Sequence, residues 1–161
     1  WAYLVPSATV VADATEALRA LRDGRIDPRQ TAVLEREPVA AFTDQPIGDR
    51  GADRVQIATR DLAAGLIEID VVASGPRMLI VSDNYYPNWH ASVDGEEAEL
   101  LRANYVWKAV YIPRGNHTVT LRYHSPAVSA SRMISLFTLM AVAVGAAVHW
   151  RRQVRERTQT R

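Results

Sequence analysis

The sequence contains no cysteine, which excludes disulfide bonds, cysteine-ligated zinc and cysteine nucleophiles. It also lacks the glycine-rich phosphate-binding motifs and the G-x-S-x-G motif of serine hydrolases. The four histidines occur without the HxxxH or HxH spacing that favours metal binding. We therefore predict no catalytic residue, no metal site and no cofactor in this chain. Its 161 residues are enough to bury a core without cross-links.

Basic residues show no excess outside the C-terminal tail. Residues 1–150 carry 14 basic and 17 acidic side chains, a net charge of −3. Proteins that bind nucleic acid present a strongly basic face to the phosphate backbone. Nucleic acid is therefore excluded as an expected partner.

The longest apolar segment is Met133–Trp150, which contains no Asp, Glu, Lys or Arg. Its 18 residues would form a helix of about 27 Å, close to the roughly 30 Å hydrocarbon core of a bilayer. A buried helix of a globular protein is the alternative, but such a helix is rarely apolar on every face. We predict a transmembrane helix at 132–150 and, by the positive-inside rule, a basic cytoplasmic tail at 151–161.

This orientation puts the residues before the helix outside the cytoplasm. A domain of this size needs other segments to export it, so we expect the chain to be the C-terminal part of a longer, polytopic membrane protein. The helix would pack against other transmembrane helices of that parent chain, and the tail arginines would contact membrane lipid.

Residues 1–36 have the pattern of a β-α-β segment. Two β-prone stretches are separated by Pro6. Asp13, with Glu16 three residues later, forms a capping-box pattern that predicts a helix over Ala14–Arg22. The spacing predicts a buried helix face made by Ala14, Leu18 and Leu21.

Residues 54–124 have the pattern of an all-β domain, and 37–53, which contain two prolines and two glycines, are predicted to be a linker. Met78–Val81 is continuously apolar, which predicts burial on both faces, and Val55 and Ile57 are predicted to point inward. Strands are expected at 54–59, 65–73, 78–81, 89–93, 98–101, 106–112 and 117–123. The predicted fold is mainly β, a β-sandwich of jelly-roll or immunoglobulin-like type, with the small N-terminal β-α-β segment and one C-terminal transmembrane helix.

Polar and aromatic side chains are densest at two loop-to-strand junctions. The candidate glycan contacts are Asp83, Asn84, Tyr85, Tyr86, Trp89, Asn104, Tyr105 and Trp107. Sugar C–H faces stack on aromatic rings, while carboxylates and carboxamides bind the hydroxyls. The alternative, which the residue types alone favour, is that the rings pack in the core and the polar groups satisfy loop backbone. Exposure of Tyr85, Trp89 and Trp107 would support a glycan site, and their burial would weaken it.

The same region carries a family resemblance. The segments that carry it are LIVSDNYYPNWHA at 79–91, VDG at 93–95, RANY at 102–105, AV at 109–110, IP at 112–113, Gly115, HTV at 117–119 and RY at 122–123. Residues 14–22, residues 27–35 and the start of the closing helix near 134–135 fit the same pattern. In these segments the chain resembles the C-terminal region of the bacterial YfhO-like membrane protein family. One departure is Asn88, where the family pattern would have glycine before the tryptophan.

The resemblance implies a polytopic protein of the bacterial cell membrane, similar to GT-C glycosyltransferases. Such enzymes transfer sugar from a polyprenyl-phosphate donor to an extracytoplasmic acceptor, here a cell-envelope glycopolymer. Their catalytic acidic residue lies in an early extracytoplasmic loop, so none is carried over to this chain. The expected role is a non-catalytic domain that supports the enzyme or binds the acceptor glycan. The alternatives are a membrane-anchored carbohydrate-binding module and a purely structural β-sandwich.

Overall fold

The computed structural model describes residues 1–38, 50–124 and 140. The predicted tail at 151–161, the predicted helix at 132–150 apart from Met140, and most of the linker at 37–53 lie outside the described residues. Within the part that is described, no helix has the length and apolar character needed to cross a bilayer. The chain divides into two units, Trp1–His124 and Ser125–Arg161, and the first contains all the strands given below.

The described residues of the first unit form two β-sheets and one α-helix. The strands are β1 (Ala2–Val5), β2 (Ser7–Val10), β3 (Thr31–Leu34), β4 (Arg54–Asp61), β5 (Leu66–Ala73), β6 (Arg77–Asn84), β7 (Trp89–Val93), β8 (Glu96–Ala98), β9 (Leu100–Ala103), β10 (Trp107–Ile112) and β11 (Gly115–Tyr123), and the helix is α1 (Ala14–Arg22). The first sheet has the order β1-β6-β10-β9-β3-β2 and the second β4-β5-β11-β7-β8. The mainly β, two-sheet prediction is confirmed, and three strands of the first sheet come from residues 1–36.

Helix α1 begins as its capping residues predict. The Asp13 carboxylate accepts a hydrogen bond from the Glu16 backbone N–H at 2.8 Å, and the Glu16 side chain accepts one from the backbone N–H of Ala12. The predicted face is wrong at Leu18, which is 45% exposed. Ala14 and Leu21 are half-buried, and the buried positions are Ala17 and Ala20. These alanines form a second apolar stripe at i, i+3 spacing, and their small side chains face inward.

The first sheet curls because its two edge strands are consecutive in sequence. Strand β1 ends at Val5 and β2 begins at Ser7, with only Pro6 between them. In a flat sheet of this width the edges would be about 24 Å apart, since neighbouring strands are spaced about 4.8 Å. Two residues of chain span at most about 7 Å. The sheet therefore bends until its edges approach each other at Pro6.

Two apolar clusters lie on opposite faces of the first sheet. The cluster between the two sheets includes Ile67, Ile69, Val71, Leu79, Val81, Val110, Ile112, Val119 and Leu121. The cluster inside the curl includes Val5, Ala32, Leu34, Met78, Ile80, Leu101, Ala103 and Ala109. Strand β6 contributes to both, which confirms that its apolar run is buried on both faces.

The inward prediction for β4 is wrong at one position. Val55 is half-buried, but Ile57 is 40% exposed. The pairing of β4 with β5 shifts register between Ile57 and Thr59. The shift follows Ile57 and does not change the face on which Ile57 lies. Ile57 is exposed because β4 is an edge strand, with a neighbouring strand on one side only.

Candidate functional site

The eight candidate residues lie at one end of the sandwich. Strand β11 finishes there at Tyr123, and the next residue, His124, donates its backbone N–H to the Asn88 carbonyl at 2.8 Å. The β4–β5 turn, the β6–β7 connection and the β9–β10 turn lie at the same end. We call this the exit end, because the chain leaves the sandwich there, and the opposite end the far end.

A buried cation organises the exit end. Lys108 is fully buried, and its Nζ donates to Asp83 Oδ2 at 2.5 Å. The same ammonium lies 4.3 Å from the centroid of the Trp89 ring. That ring packs edge-on against Tyr123, with centroids 5.5 Å apart. Lys108 on the first sheet thus holds Trp89 on the second, and the Asp83 carboxylate is already engaged.

Burial and the Asp83 carboxylate shift the pKa of Lys108 in opposite directions. Burial lowers the pKa of Lys108, and the hydrogen bond and charge of Asp83 raise it again by a smaller amount. The Trp89 ring adds a cation–π contact to the buried Lys108 ammonium. The Lys108 ammonium is therefore already paired within the domain and is not presented to a ligand.

Asn104 has a structural position and not a ligand-facing one. It is 5% exposed and adopts a φ of +48°, a conformation that asparagine tolerates. Its Oδ1 accepts the Val33 backbone N–H at 2.9 Å, and its own N–H donates to the Val33 carbonyl at 2.8 Å. Asn104 thus joins β3 to the β9–β10 turn, where the backbone ladder between β3 and β9 is short.

Two further candidate rings pack on the domain. Trp107 is half-buried against the cluster inside the curl, and its ring meets Tyr3 edge-on at 6.5 Å. Tyr85 is half-buried against the cluster between the sheets, and its backbone N–H donates to the Val106 carbonyl at 2.7 Å. The packing interpretation therefore describes these two side chains well.

The remaining candidates face solvent. Asn84 is exposed, Tyr86 is 56% exposed, and Tyr105 is 38% exposed with a φ of +75°. Asn84 and Tyr86 are thus exposed in the connection that precedes the half-buried Trp89. Asp83 and Asn104, in contrast, make their hydrogen bonds within the domain. An exposed amide beside aromatic rings can hydrogen-bond a hydroxyl and stack on an apolar ring face.

The far end carries polar features that sequence reasoning missed. Arg77 is 1% exposed and donates to Asp53 Oδ2 at 2.8 Å and to the Ser74 hydroxyl at 2.9 Å. Burial raises the pKa of Asp53, but the hydrogen bonds from Arg77 and Ser74 outweigh it and leave the pKa below its ordinary value. This ion pair joins the segment before β4 to the start of β6, and so links the two sheets.

A groove of 650 Å³ also lies at the far end. Its lining includes Glu96, Glu97, Tyr111 and His117. His117 Nδ1 lies 2.6 Å from Asp94 Oδ2, a contact that lowers the pKa of that carboxyl. Among the described residues, no group of three or more His, Asp or Glu side chains is arranged to hold a metal ion.

A sequence signal existed for Lys108 but was overlooked. It shares one face of β10 with Val110 and Ile112, both fully buried. It is also the one lysine in a chain that otherwise uses arginine. A lone lysine at an inward position of an apolar strand indicates a buried, paired cation.

These features define a two-sheet β domain with an aromatic edge at the end where the chain leaves it. The sequence model of the family described as bacterial membrane protein YfhO matches residues 52–135, more than half of the chain, and the chain belongs to this family. The match confirms the resemblance drawn from the segments at 79–123, and it supports membrane association. No curated protein and no solved structure matches the chain.

Proposed function

We propose that this chain is the C-terminal extracytoplasmic domain and last membrane helix of a polytopic, GT-C-like glycosyltransferase that acts on cell-envelope glycopolymer. The parent protein would use a polyprenyl-phosphate sugar donor, with its catalytic carboxylate outside this chain. The domain itself is non-catalytic: it supports the membrane portion and contacts the acceptor glycan at the exit end. Membership of a membrane protein family supports the first part of this proposal.

The observation that carries the glycan contact is the arrangement at the exit end. Lys108 holds the Trp89 ring at a fixed position, and the exposed Asn84 and Tyr86 lie in the connection that leads into it. A ring that is already immobilised loses little conformational entropy when a sugar stacks on it. Carboxamide groups supply both a donor and an acceptor for hydroxyls.

The orientation follows from the sequence. Five arginines and one glutamate follow Trp150, which favours a cytoplasmic tail and an extracytoplasmic β-domain. An acceptor polymer of the cell envelope would then be on the same side of the membrane as the exit end.

A purely structural role is the second candidate. It is favoured by the hydrogen bonds of Asp83 and Asn104, which are made within the domain, and by the packing of Tyr85 and Trp107 on the core clusters. In that case the domain braces the membrane portion and binds no glycan.

Calorimetry with the full chain in nanodiscs separates the two candidates. Cell-wall glycopolymer fragments are titrated into the unaltered chain and into Asn84→Ala and Tyr86→Ala variants. We expect each substitution to weaken binding about five- to tenfold, because each removes one contact worth about 1 kcal/mol. Both side chains are exposed, so neither substitution disturbs the core.

The matched control is Asn116→Ala, which removes an exposed asparagine near the far end. Its affinity should equal that of the unaltered chain. No heat of binding to the unaltered chain would contradict the glycan contact, and so would an equal loss of affinity in all three variants. Either result would leave the structural role.

A further inference from the structure

Exposed apolar side chains are concentrated at the exit end. Eight large apolar side chains of the described Trp1–His124 region are exposed: Val10, Leu18, Ile57, Leu62, Tyr86, Tyr105, Val106 and Tyr123. Five of these lie at the exit end: Leu62, Tyr86, Tyr105, Val106 and Tyr123. They come from the β4–β5 turn, the β6–β7 connection, the β9–β10 turn and the end of β11, and so from both sheets.

The β4–β5 turn holds its apolar tip outward. Leu62 is 53% exposed, and the two alanines after it are also exposed. The turn is fixed by Asp61, whose carboxylate accepts the Ala64 backbone N–H at 2.9 Å, and by the Gly65 N–H, which donates to the Leu62 carbonyl. Together with the four other exposed apolar side chains at this end, Leu62 favours contact with a partner or a membrane.

Cationic side chains accompany these apolar groups. The Arg60 guanidinium lies 4.4 Å from the centroid of the Trp1 ring, and Arg122 is exposed on β11. Tyrosine and tryptophan rings with adjacent arginines are the side chains that occupy the headgroup layer of a membrane, where rings meet the apolar boundary and cations meet phosphates.

The chain itself ties this end to the predicted membrane span. The predicted helix begins at 132, so residues 125–131 connect it to His124 at the exit end. That connection reaches at most about 30 Å when fully extended. The nine residues of β11 already cover about 30 Å between the two ends of the sandwich. Of the two ends of the sandwich, the exit end is the one that the chain joins directly to the predicted span.

We propose that the exit end rests in the headgroup layer of a phospholipid bilayer, with Leu62, Tyr105, Val106 and Tyr123 in contact with lipid. This inference depends on the membrane span predicted from sequence and on the exposed side chains. It does not depend on glycan binding, so either proposal can fail alone. A glycan attached to a lipid carrier would reach Asn84 at the same level of the membrane.

The absence of cysteine allows single-site labelling of the full chain in nanodiscs. An environment-sensitive fluorophore is attached at Leu62→Cys and, separately, at Val106→Cys, which lie in turns of different sheets. Matched controls are Glu96→Cys and Arg114→Cys, two exposed positions outside the exit end. Nitroxide-labelled phosphatidylcholine in the nanodisc serves as the quencher, and aqueous iodide serves as the opposing quencher.

We expect blue-shifted emission, lipid quenching and protection from iodide at positions 62 and 106, and the reverse at 96 and 114. Equal lipid quenching at all four positions, or none at any, would overturn the proposal. Protection from iodide at 62 and 106 without lipid quenching would also overturn it, because it would show a protein contact. Separation of the chain from the nanodiscs would also overturn the proposal.

Discussion

Lys108 shows how a single residue can position a ring at a surface. Its ammonium has no exposed area, yet it contacts a carboxylate that is partly hydrated and a ring on the other sheet. Burial is the dominant influence on its pKa, and Asp83 offsets only part of it. The two partners should therefore respond unequally to removal, since an unpaired buried cation is more costly than an unpaired carboxylate that water can reach.

We expect Asp83→Ala to lower the free energy of unfolding by about 2–3 kcal/mol, because it leaves the Lys108 ammonium buried and unpaired. Lys108→Met should change it by less than about 1 kcal/mol, since methionine fills a similar volume without a charge. Chemical unfolding of the full chain in detergent, followed by tryptophan fluorescence, measures both. A loss for Lys108→Met as large as that for Asp83→Ala would contradict the asymmetry.

At the scale of elements, the turn between β4 and β5 depends on one close approach. Gly65 has a φ of +64°, and a Cβ placed there would lie 2.8 Å from the Tyr123 Cβ. The backbone N–H of Tyr123 also donates to the Gly65 carbonyl at 2.8 Å. This contact sets the position of the last residue of β11, and so the point at which the chain leaves the sandwich.

We expect Gly65→Ala to destabilise the domain by about 2–4 kcal/mol, since it combines an unfavourable φ with a steric clash against a strand. Gly24→Ala is the matched control, because Gly24 has a φ of +69° with nothing within 4 Å of the added Cβ. Gly24→Ala should lower the free energy of unfolding only by the cost of the unfavourable φ, about 1–2 kcal/mol. Thermal unfolding of the two variants compares them, and equal losses would show that the approach to Tyr123 has no cost.

The elements differ in how far sequence predicts them. Alternation and turn residues predict most strands, and Asp94-Gly95, a dipeptide typical of hairpin turns, joins β7 to β8 with φ values of +53° and +88°. The parallel pairing of β2 with β3 agrees with the β-α-β pattern. The curl at Pro6 and the pairing of β3 with β9 depend on contacts distant in sequence, which local patterns do not encode. The residues around Asn104 are typical of a loop. Its role in joining β3 to the β9–β10 turn is visible only in the structure, which places Val33, 71 residues earlier, beside it.

At the scale of the whole molecule, the inter-sheet core is closed at each end by a buried cation and an aspartate. Lys108 and Asp83 lie at the exit end, and Arg77 and Asp53 at the far end. The pKa of Asp53 is lowered in the folded chain, so the folded state binds fewer protons there than the unfolded state near its ordinary value of 3.8. Its stabilising contribution is complete above that value and is lost as the pH falls through the lowered one.

We expect Asp53→Ala to cost about 3 kcal/mol at neutral pH, because Arg77 then stays buried without its charge partner. The difference from the unaltered chain should shrink as the pH falls below 3.8, where the unaltered chain loses the same interaction. Asp53→Asn keeps a hydrogen-bond acceptor but cannot titrate, and serves as the control. Unfolding free energies measured across this range would contradict the assignment if the Asp53→Asn chain lost stability in acid as steeply as the unaltered chain.

The curl at Pro6 has a consequence for how copies of this domain behave beside one another. Four strands end the two sheets: β1 and β2, of four residues each and joined at Pro6, end the first, and β4 and β8 end the second. Strand β8 has three residues, two of them glutamates, and β4 carries Arg54, Arg60 and Asp61 together with its register shift. Short, charged and irregular edges resist pairing with a neighbouring strand. Copies crowded in one membrane would therefore resist joining into a continuous sheet.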